Sequence, residues 1–255
     1  MAQLGMQLIV YRGRQNEDLA GVLSAVAGIG YDGVETGNLA RSRPVADVAD
    51  LFARTGLRLA GVHAGFGEFE NPERLEENLT FLTRLGGRYL LCSGVADRDS
   101  REGYLRTAAV LNRAGARCRE AGVTLCYHNH HWEFVRFDGT LGIELLAAET
   151  DPALVRLNID VFWVAVGGVD PVRFIERYGE RCPYYHIKDG EWEPGQPGKP
   201  IRFTELGRGH VDLRAAVSAA LATGPEWLVY EQDHSYEKDP TDAARQSFAH
   251  LRQLV

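Results

Sequence analysis

The sequence predicts a single-domain α/β fold, a (β/α)8 barrel spanning residues 1–255, and three observations carry that prediction. Short apolar runs of strand type alternate with longer stretches of helical period, eight times over. The 255 residues match the usual size of one such barrel and leave little room for a second domain. No GxGxxG or P-loop turn follows an early strand, which weighs against a doubly wound open sheet.

The strand candidates, in order, are QLIVY (7–11), DGVETGN (32–38), RLAGVHAG (58–65), YLLCSGV (89–95), VTLCYHNH (123–130), VRLNIDVFW (155–163), PYYHIKD (183–189) and LVYEQD (228–233). Their apolar character lacks strict alternation, as in parallel strands covered outside by helices. Amphipathic stretches fall between them at Glu17–Gly28, Val45–Thr55, Pro72–Leu85, Tyr104–Ala121, Leu141–Glu149, Pro171–Tyr178 and Leu213–Ala222, with a last helix over 240–254. Asn71-Pro72, Asp151-Pro152, Asp170-Pro171 and Asp239-Pro240 each set a capping side chain before a proline suited to the first helical position. Gly30, Gly56, Gly86 and Gly122 stand where left-handed helix ends are wanted. The insert GEWEPGQPGKPIRFTELGRGHVD (190–212) reads as a long loop after the seventh strand.

Bulk properties narrow the function classes. A formal net charge of −7, with scattered arginines and no basic patch, argues against nucleic acid or an anionic membrane as partner. The start lacks a signal-peptide pattern, and no run approaches the ~18 apolar residues of a spanning helix. Cys92, Cys118, Cys126 and Cys182 show no CxxC spacing and read as buried free thiols. A soluble, cytoplasmic protein is the expectation, with a homo-oligomer left open.

In such a barrel the reactive groups stand at the C-terminal strand ends and the loops beyond them. Polar residues gather there: Glu35, His63, His128, Asn129, His130, Glu133, Asp160, His186, Lys188, Asp189, Glu231 and Asp233. Asp160, His186 and Glu231 come from three consecutive strands, with Glu133 near the end of the fifth. Carboxylates and an imidazole so placed make a mixed oxygen and nitrogen site suited to one divalent ion, Mn, Mg, Co or Zn. An ionised Asp160 among apolar neighbours also needs a cation or donors to compensate it. Trp132 and Trp163 offer an apolar pocket wall or ordinary core packing.

YHNHHWEF (127–134), NIDVFWVAVGGVDPVRFIERY (158–178), HIKD (186–189), ELGRGHVD (205–212) and YEQD (230–233) resemble the xylose isomerase-like TIM-barrel family, with GVE (33–35) and VHAG (62–65) in support. That family includes sugar isomerases and epimerases, inosose-processing enzymes and endonuclease IV nucleases. The resemblance implies metal ligands at Asp160, His186 and Glu231. Where sugar epimerases carry a glutamate at the end of strand five, this chain has YHNH. Glu133, similar to the glutamate of the YHNHxxEF subgroup, is assigned the fourth ligand, with His128 or His130 as substitutes. The nuclease branch is disfavoured because no Asp-x-His pair follows strand seven and Phe162-Trp163 follow Asp160.

The resulting expectation is a divalent-metal-dependent sugar isomerase or epimerase that polarises the carbonyl of a keto- or aldo-sugar and stabilises an enediolate. Glu231 is the general base, with Glu133 or His130 returning the proton. Lys188 donates to an oxygen carrying developing charge, and His63, His128, Asn129, Trp163 and Glu35 form the substrate-binding set. If the intermediate expels a β-substituent, the outcome is instead a dehydratase or lyase reaction on a keto-sugar or inosose. A non-catalytic sugar-binding barrel ranks below both. Gly207 and Gly209 before Asp212 read either as an anion-binding helix start or as a plain cap.

Overall fold

The computed structural model describes residues 2–37, 39, 43–193, 195–196 and 198–255. Eight parallel strands close into a barrel: β1 (Gln3–Gln7), β2 (Gly33–Thr36), β3 (Arg58–Gly65), β4 (Tyr89–Ser93), β5 (Thr124–His128), β6 (Val155–Asp160), β7 (Tyr184–Ile187) and β8 (Trp227–Tyr230). Each strand pairs with its sequence neighbours, and β1 closes the ring against both β2 and β8. This is the (β/α)8 barrel that the alternating pattern predicts.

Helix bounds follow the expected ones closely, at Leu19–Ile29, Val45–Thr55, Pro72–Arg84, Arg101–Glu120, Gly142–Glu149, Pro171–Tyr178, Leu213–Ala222 and Pro240–Leu251. Asn71, Asp170 and Asp239 accept backbone N–H bonds at their helix starts, each followed by proline; Asp151-Pro152, expected to start a helix too, begins only a turn, in which Asp151 Oδ1 accepts from Ala153 N at 2.8 Å. Gly30 and Gly56 end their helices in the left-handed conformation.

Three boundaries differ from expectation. β1 runs over Gln3–Gln7, and the apolar Leu8–Tyr11 form a 3-10 turn instead of a strand. The Gln7 side chain accepts the N–H of Ile9 at 2.6 Å, which turns the chain over the barrel rim. After Asp160 the run VFWVAV becomes a short helix, Val161–Val166, because the Asp160 carboxylate caps Trp163 N. Within the expected loop after β7, Asp189–Trp192 and Pro200–Thr204 pair as an antiparallel hairpin. Asn38, at the end of the second predicted run, and Pro194 and Pro197 of the insert lie outside the described residues.

The barrel interior is graded from apolar to polar along its axis. Ala60, Tyr89, Leu91, Cys126, Tyr184, Trp227 and Val229 form a buried cluster in its lower layers. Two residues further along the same strands stand His128, His186 and Glu231, since side chains two apart share one face. Glycines on the first three strands make room for this filling. A Cβ on Gly33 would come within 2.5 Å of Arg58 O and 2.7 Å of the Trp227 ring, and one on Gly61 within 2.5 Å of Leu91. Gly33→Ala is therefore expected to lower the unfolding free energy by roughly 1–3 kcal/mol in urea titration, through overpacking of a barrel that cannot shift its backbone. A neutral result would show that the Trp227 layer has slack.

Candidate metal and substrate site

Strand register brings the site together. Asp160 pairs with His186 across β6 and β7, His128 with Asn158 across β5 and β6, and Val229 with His186 across β8 and β7. His128, Asp160, His186 and Glu231 consequently lie at one level, all buried, with one donor atom from each within 4.8 Å of the others. Bonds of about 2.1 Å to a central ion span such a group with small side-chain adjustments.

Both imidazoles are held for this. His128 Nδ1 faces Asn158 Oδ1 at 2.7 Å, which leaves Nε2 for the cluster. His186 Nε2 faces Glu35 Oε2 at 2.6 Å, while Nδ1 faces Glu231 Oε2 at 2.8 Å. An outer acceptor that fixes the ring and its tautomer is what ligating histidines ordinarily have. Asp160 uses Oδ1 to accept from Trp163 N, whereas Oδ2 is buried without a hydrogen-bond partner. Two carboxylates, two oriented imidazoles and an orphaned buried oxygen fit a divalent cation.

The electrostatics agree. Burial and the neighbouring His186, His130 and His63 hold His128 well below the ordinary histidine pKa, as a neutral ring. Burial would do the same to His186, but Glu35 and Glu231 on either side raise it to about 10. Burial raises Asp160, and the pull of Lys188 does not offset it; Lys188 and His186 overcome the same burial at Glu231 and hold it low. Glu35 is driven to about 2, because the charges and bonds of His186 and His63 outweigh its desolvation.

A second layer surrounds the quartet. Glu35 accepts from Tyr184 Oη at 2.7 Å and faces His63 Nδ1 at 2.9 Å, so it braces two histidines from behind. His63 packs edge-on against His128 and is the more open of the pair. Lys188 is fully buried, ion-paired to Asp233, 3.6 Å from Glu231, and set against the faces of Trp163 and Phe203 at 4.8 and 4.9 Å. His130 stacks on Trp132 with centroids 4.0 Å apart; its Nδ1 and Trp163 Nε1 are buried and unpartnered.

Glu133, expected as the fourth ligand, stands outside the quartet. Its carboxylate accepts from Tyr127 Oη at 2.6 Å and His130 N at 2.8 Å, fully buried, with its pKa lifted to about 7 by burial against those bonds. His128, named as a substitute, takes the place among the four. Asn129, expected to bind substrate, has its amide bonded in both directions to the Asp160 backbone. Sequence reasoning missed Asn158 and Tyr184. Each lies two residues before a cluster member on the same strand face, which is the signal that could have found them. Phe203 was hidden inside the presumed loop.

Residues 23–254 match the family model described as xylose isomerase-like TIM barrel. The chain belongs to this family. It is 31% identical over 230 residues to an inosose dehydratase of Geobacillus kaustophilus, covering 80% of this chain and 70% of that one. A sugar phosphate isomerase/epimerase from Parabacteroides distasonis superposes with a TM-score of 0.84 at 20% identity, covering 99% and 94% of the two chains. The IOLI protein, crystallised with a zinc atom, superposes with a TM-score of 0.78 at 17% identity, covering 99% and 98%. Among the described residues no helix is long and apolar enough to cross a membrane.

Two outcomes test the cluster. His128→Ala and Asp160→Ala are expected to lose bound divalent metal by elemental analysis, while Glu133→Gln keeps it; metal loss in Glu133→Gln alone would return that residue to the ligand set. An ion entering among the four must also displace the proton that His186 otherwise holds up to pH about 10. Binding near pH 7 should then release roughly one proton or more, seen as buffer-dependent heat in calorimetry, and affinity should rise with pH through neutrality. Heat independent of the buffer would count against His186 Nδ1 as a ligand.

Proposed function

We propose that this protein is a divalent-metal-dependent lyase that removes water from a ketone-bearing polyol of the sugar or inosose class. The observation that carries the reading is the imidazole of His128 at the strand-five corner of the cluster, with Glu133 locked away behind it. A pair of opposed glutamates, as the epimerase scheme needs, is thereby reduced to Glu231 alone. Similarity to an inosose dehydratase across most of the chain supports the same choice.

His128, Asp160, His186 and Glu231 would hold the ion, which when bound supplies Lewis-acid polarisation of the substrate carbonyl. Glu231, kept ionised by Lys188, takes the proton from the carbon next to that carbonyl. Lys188 stays charged, its pKa raised by Asp233 and Glu231 in spite of burial, and faces the negative charge growing on oxygen. The hydroxyl on the next carbon leaves with the C–O electron pair and takes a proton from His63, which Glu35 orients through Nδ1. Carbon–hydrogen and carbon–oxygen bonds break, a carbon–carbon double bond forms, and one water departs. Burial and Lys188 keep His130 neutral, so it serves with Trp163 Nε1 as a hydrogen-bonding partner for substrate hydroxyls.

Isomerisation or epimerisation is the second reading, since it shares the first proton transfer. The two separate by product: an unsaturated ketone one water lighter against an isomer of unchanged mass. Glu231→Gln is expected to lower kcat about 10²–10⁴-fold with metal content retained. Full activity in that variant would remove Glu231 as the base, and mass-neutral turnover would transfer the proposal to the second reading.

A further inference from the structure

In (β/α)8 barrels a substrate phosphate is commonly gripped by backbone N–H groups of the loops after the seventh and eighth strands and by a helix start nearby. In this chain the N–H groups of residues 206–211, in the loop after the seventh strand, are already taken. Asp189, directly after Lys188, turns its carboxylate into the loop 205–212. Oδ2 accepts from Gly207 N at 3.0 Å and Gly209 N at 2.9 Å, and Oδ1 from Val211 N at 3.2 Å and Gly190 N at 2.9 Å. The remaining donors of 206–210 bond elsewhere within the chain: Leu206 N to Ser247 Oγ, Arg208 N to Glu205 O, and His210 N to Gly190 O.

The contact admits no competitor, because a Cβ on Gly209 would already lie 2.2 Å from Asp189 Oδ1. The helices that follow start on carboxylates of their own, Asp212 accepting from Ala215 N and Asp239 from Thr241 N. Three cations on this side already face carboxylates. Lys188 pairs with Asp233, Lys238 with Glu205 at 3.0 Å, and Arg202 with Glu237 at 3.7 Å. A phosphate dianion in this loop would therefore find its backbone donors spent.

We infer that the substrate is an unphosphorylated polyol ketone, and that Asp189 is the loop's permanent internal anion, occupying the N–H groups that a phosphate would need. This deepens the proposed function and rests on it for the reaction, though not for the anion site. Unpartnered buried nitrogens near the cluster, Trp163 Nε1 and His130 Nδ1, offer the single hydrogen bonds that hydroxyl groups take.

The test has two arms on the metal-loaded protein. A panel of unphosphorylated ketoses and inososes, and the monophosphate of each, is assayed for solvent deuterium exchange next to the carbonyl. Exchange with the unphosphorylated member favoured by about tenfold or more in kcat/KM supports the inference. Preference for the monophosphate overturns it and leaves the proposed chemistry standing. Exchange with neither sinks the proposed chemistry, and the second arm then decides the anion site. In that arm inorganic phosphate is titrated to about 10 mM against thermal stability. The wild-type protein should show no saturable stabilisation, while Asp189→Ala, with its N–H groups freed, should gain one. Saturable phosphate binding by the wild type that survives metal removal overturns the inference, and this reading holds even if Asp189→Ala does not fold.

Discussion

His186 is held between two carboxylates in a place from which water is excluded. One ring nitrogen faces Glu35 at 2.6 Å and the other Glu231 at 2.8 Å, and all three side chains are almost completely buried. Ionised carboxylates cost several kcal/mol to seal off unless positive charge or donors accompany them. The rest of the barrel mouth is organised around that demand. His63 and Tyr184 give Glu35 its remaining bonds, Lys188 brings an ammonium to Glu231, and Asp233 in turn balances Lys188. Remove the imidazole and two buried anions would face each other with one cation between them and the solvent.

A barrel of parallel strands is well suited to build such a network. Every strand delivers inward side chains at two-residue intervals, and the register between neighbours sets which of them meet. The layer below the cluster contains the braces, Asn158 beneath Asp160 and Tyr184 beneath His186. Below that lies packed apolar matter, with Gly33 and Gly61 yielding their volume to Trp227, Leu91 and Tyr184. The floor of the site is thus a dense solid, and the polar layer above it cannot relax by sinking.

Much of this was legible in the residues. The eight strand and helix alternations, with Asn or Asp before proline at helix starts, follow from local chemistry that the chain carries in short windows. Each of Asp160, His186 and Glu231 alone has an ordinary structural explanation, but three such groups on three consecutive strand ends could be singled out together. The fourth corner could not be read the same way. Glu133 and His128 both stand near the end of β5, and only the 3-10 turn at Trp132–Phe134 decides that the carboxylate folds back toward Tyr127 and His130 N. β1 was displaced for a similar reason. LIVY has strand-like composition, but the bond from Ile9 N to the Gln7 side chain spends it on a turn. The hairpin within 190–212 was obscured by its prolines and glycines, and Asn129 showed its polarity without showing that its amide braces Asp160.

The exchange of a carboxylate for His128 has a consequence for charge. In the proposed ligand set two carboxylates and two neutral imidazoles balance a divalent ion, whereas a third carboxylate would leave the group with one net negative charge in a buried layer. Fewer anionic ligands leave the ion a stronger electron acceptor toward a carbonyl oxygen. Lys188, fully buried beside Glu231, adds a second positive group on the same side. In the proposed reaction, negative charge growing on the substrate oxygen would therefore be better tolerated, and the carbanionic character needed before a neighbouring hydroxyl can leave would be easier to reach. Epimerisation needs a second base across the substrate more than it needs this added electrophilicity. A quartet with one glutamate and a buried ammonium beside it is weak in the former and strong in the latter, which is the balance the proposed dehydration calls for.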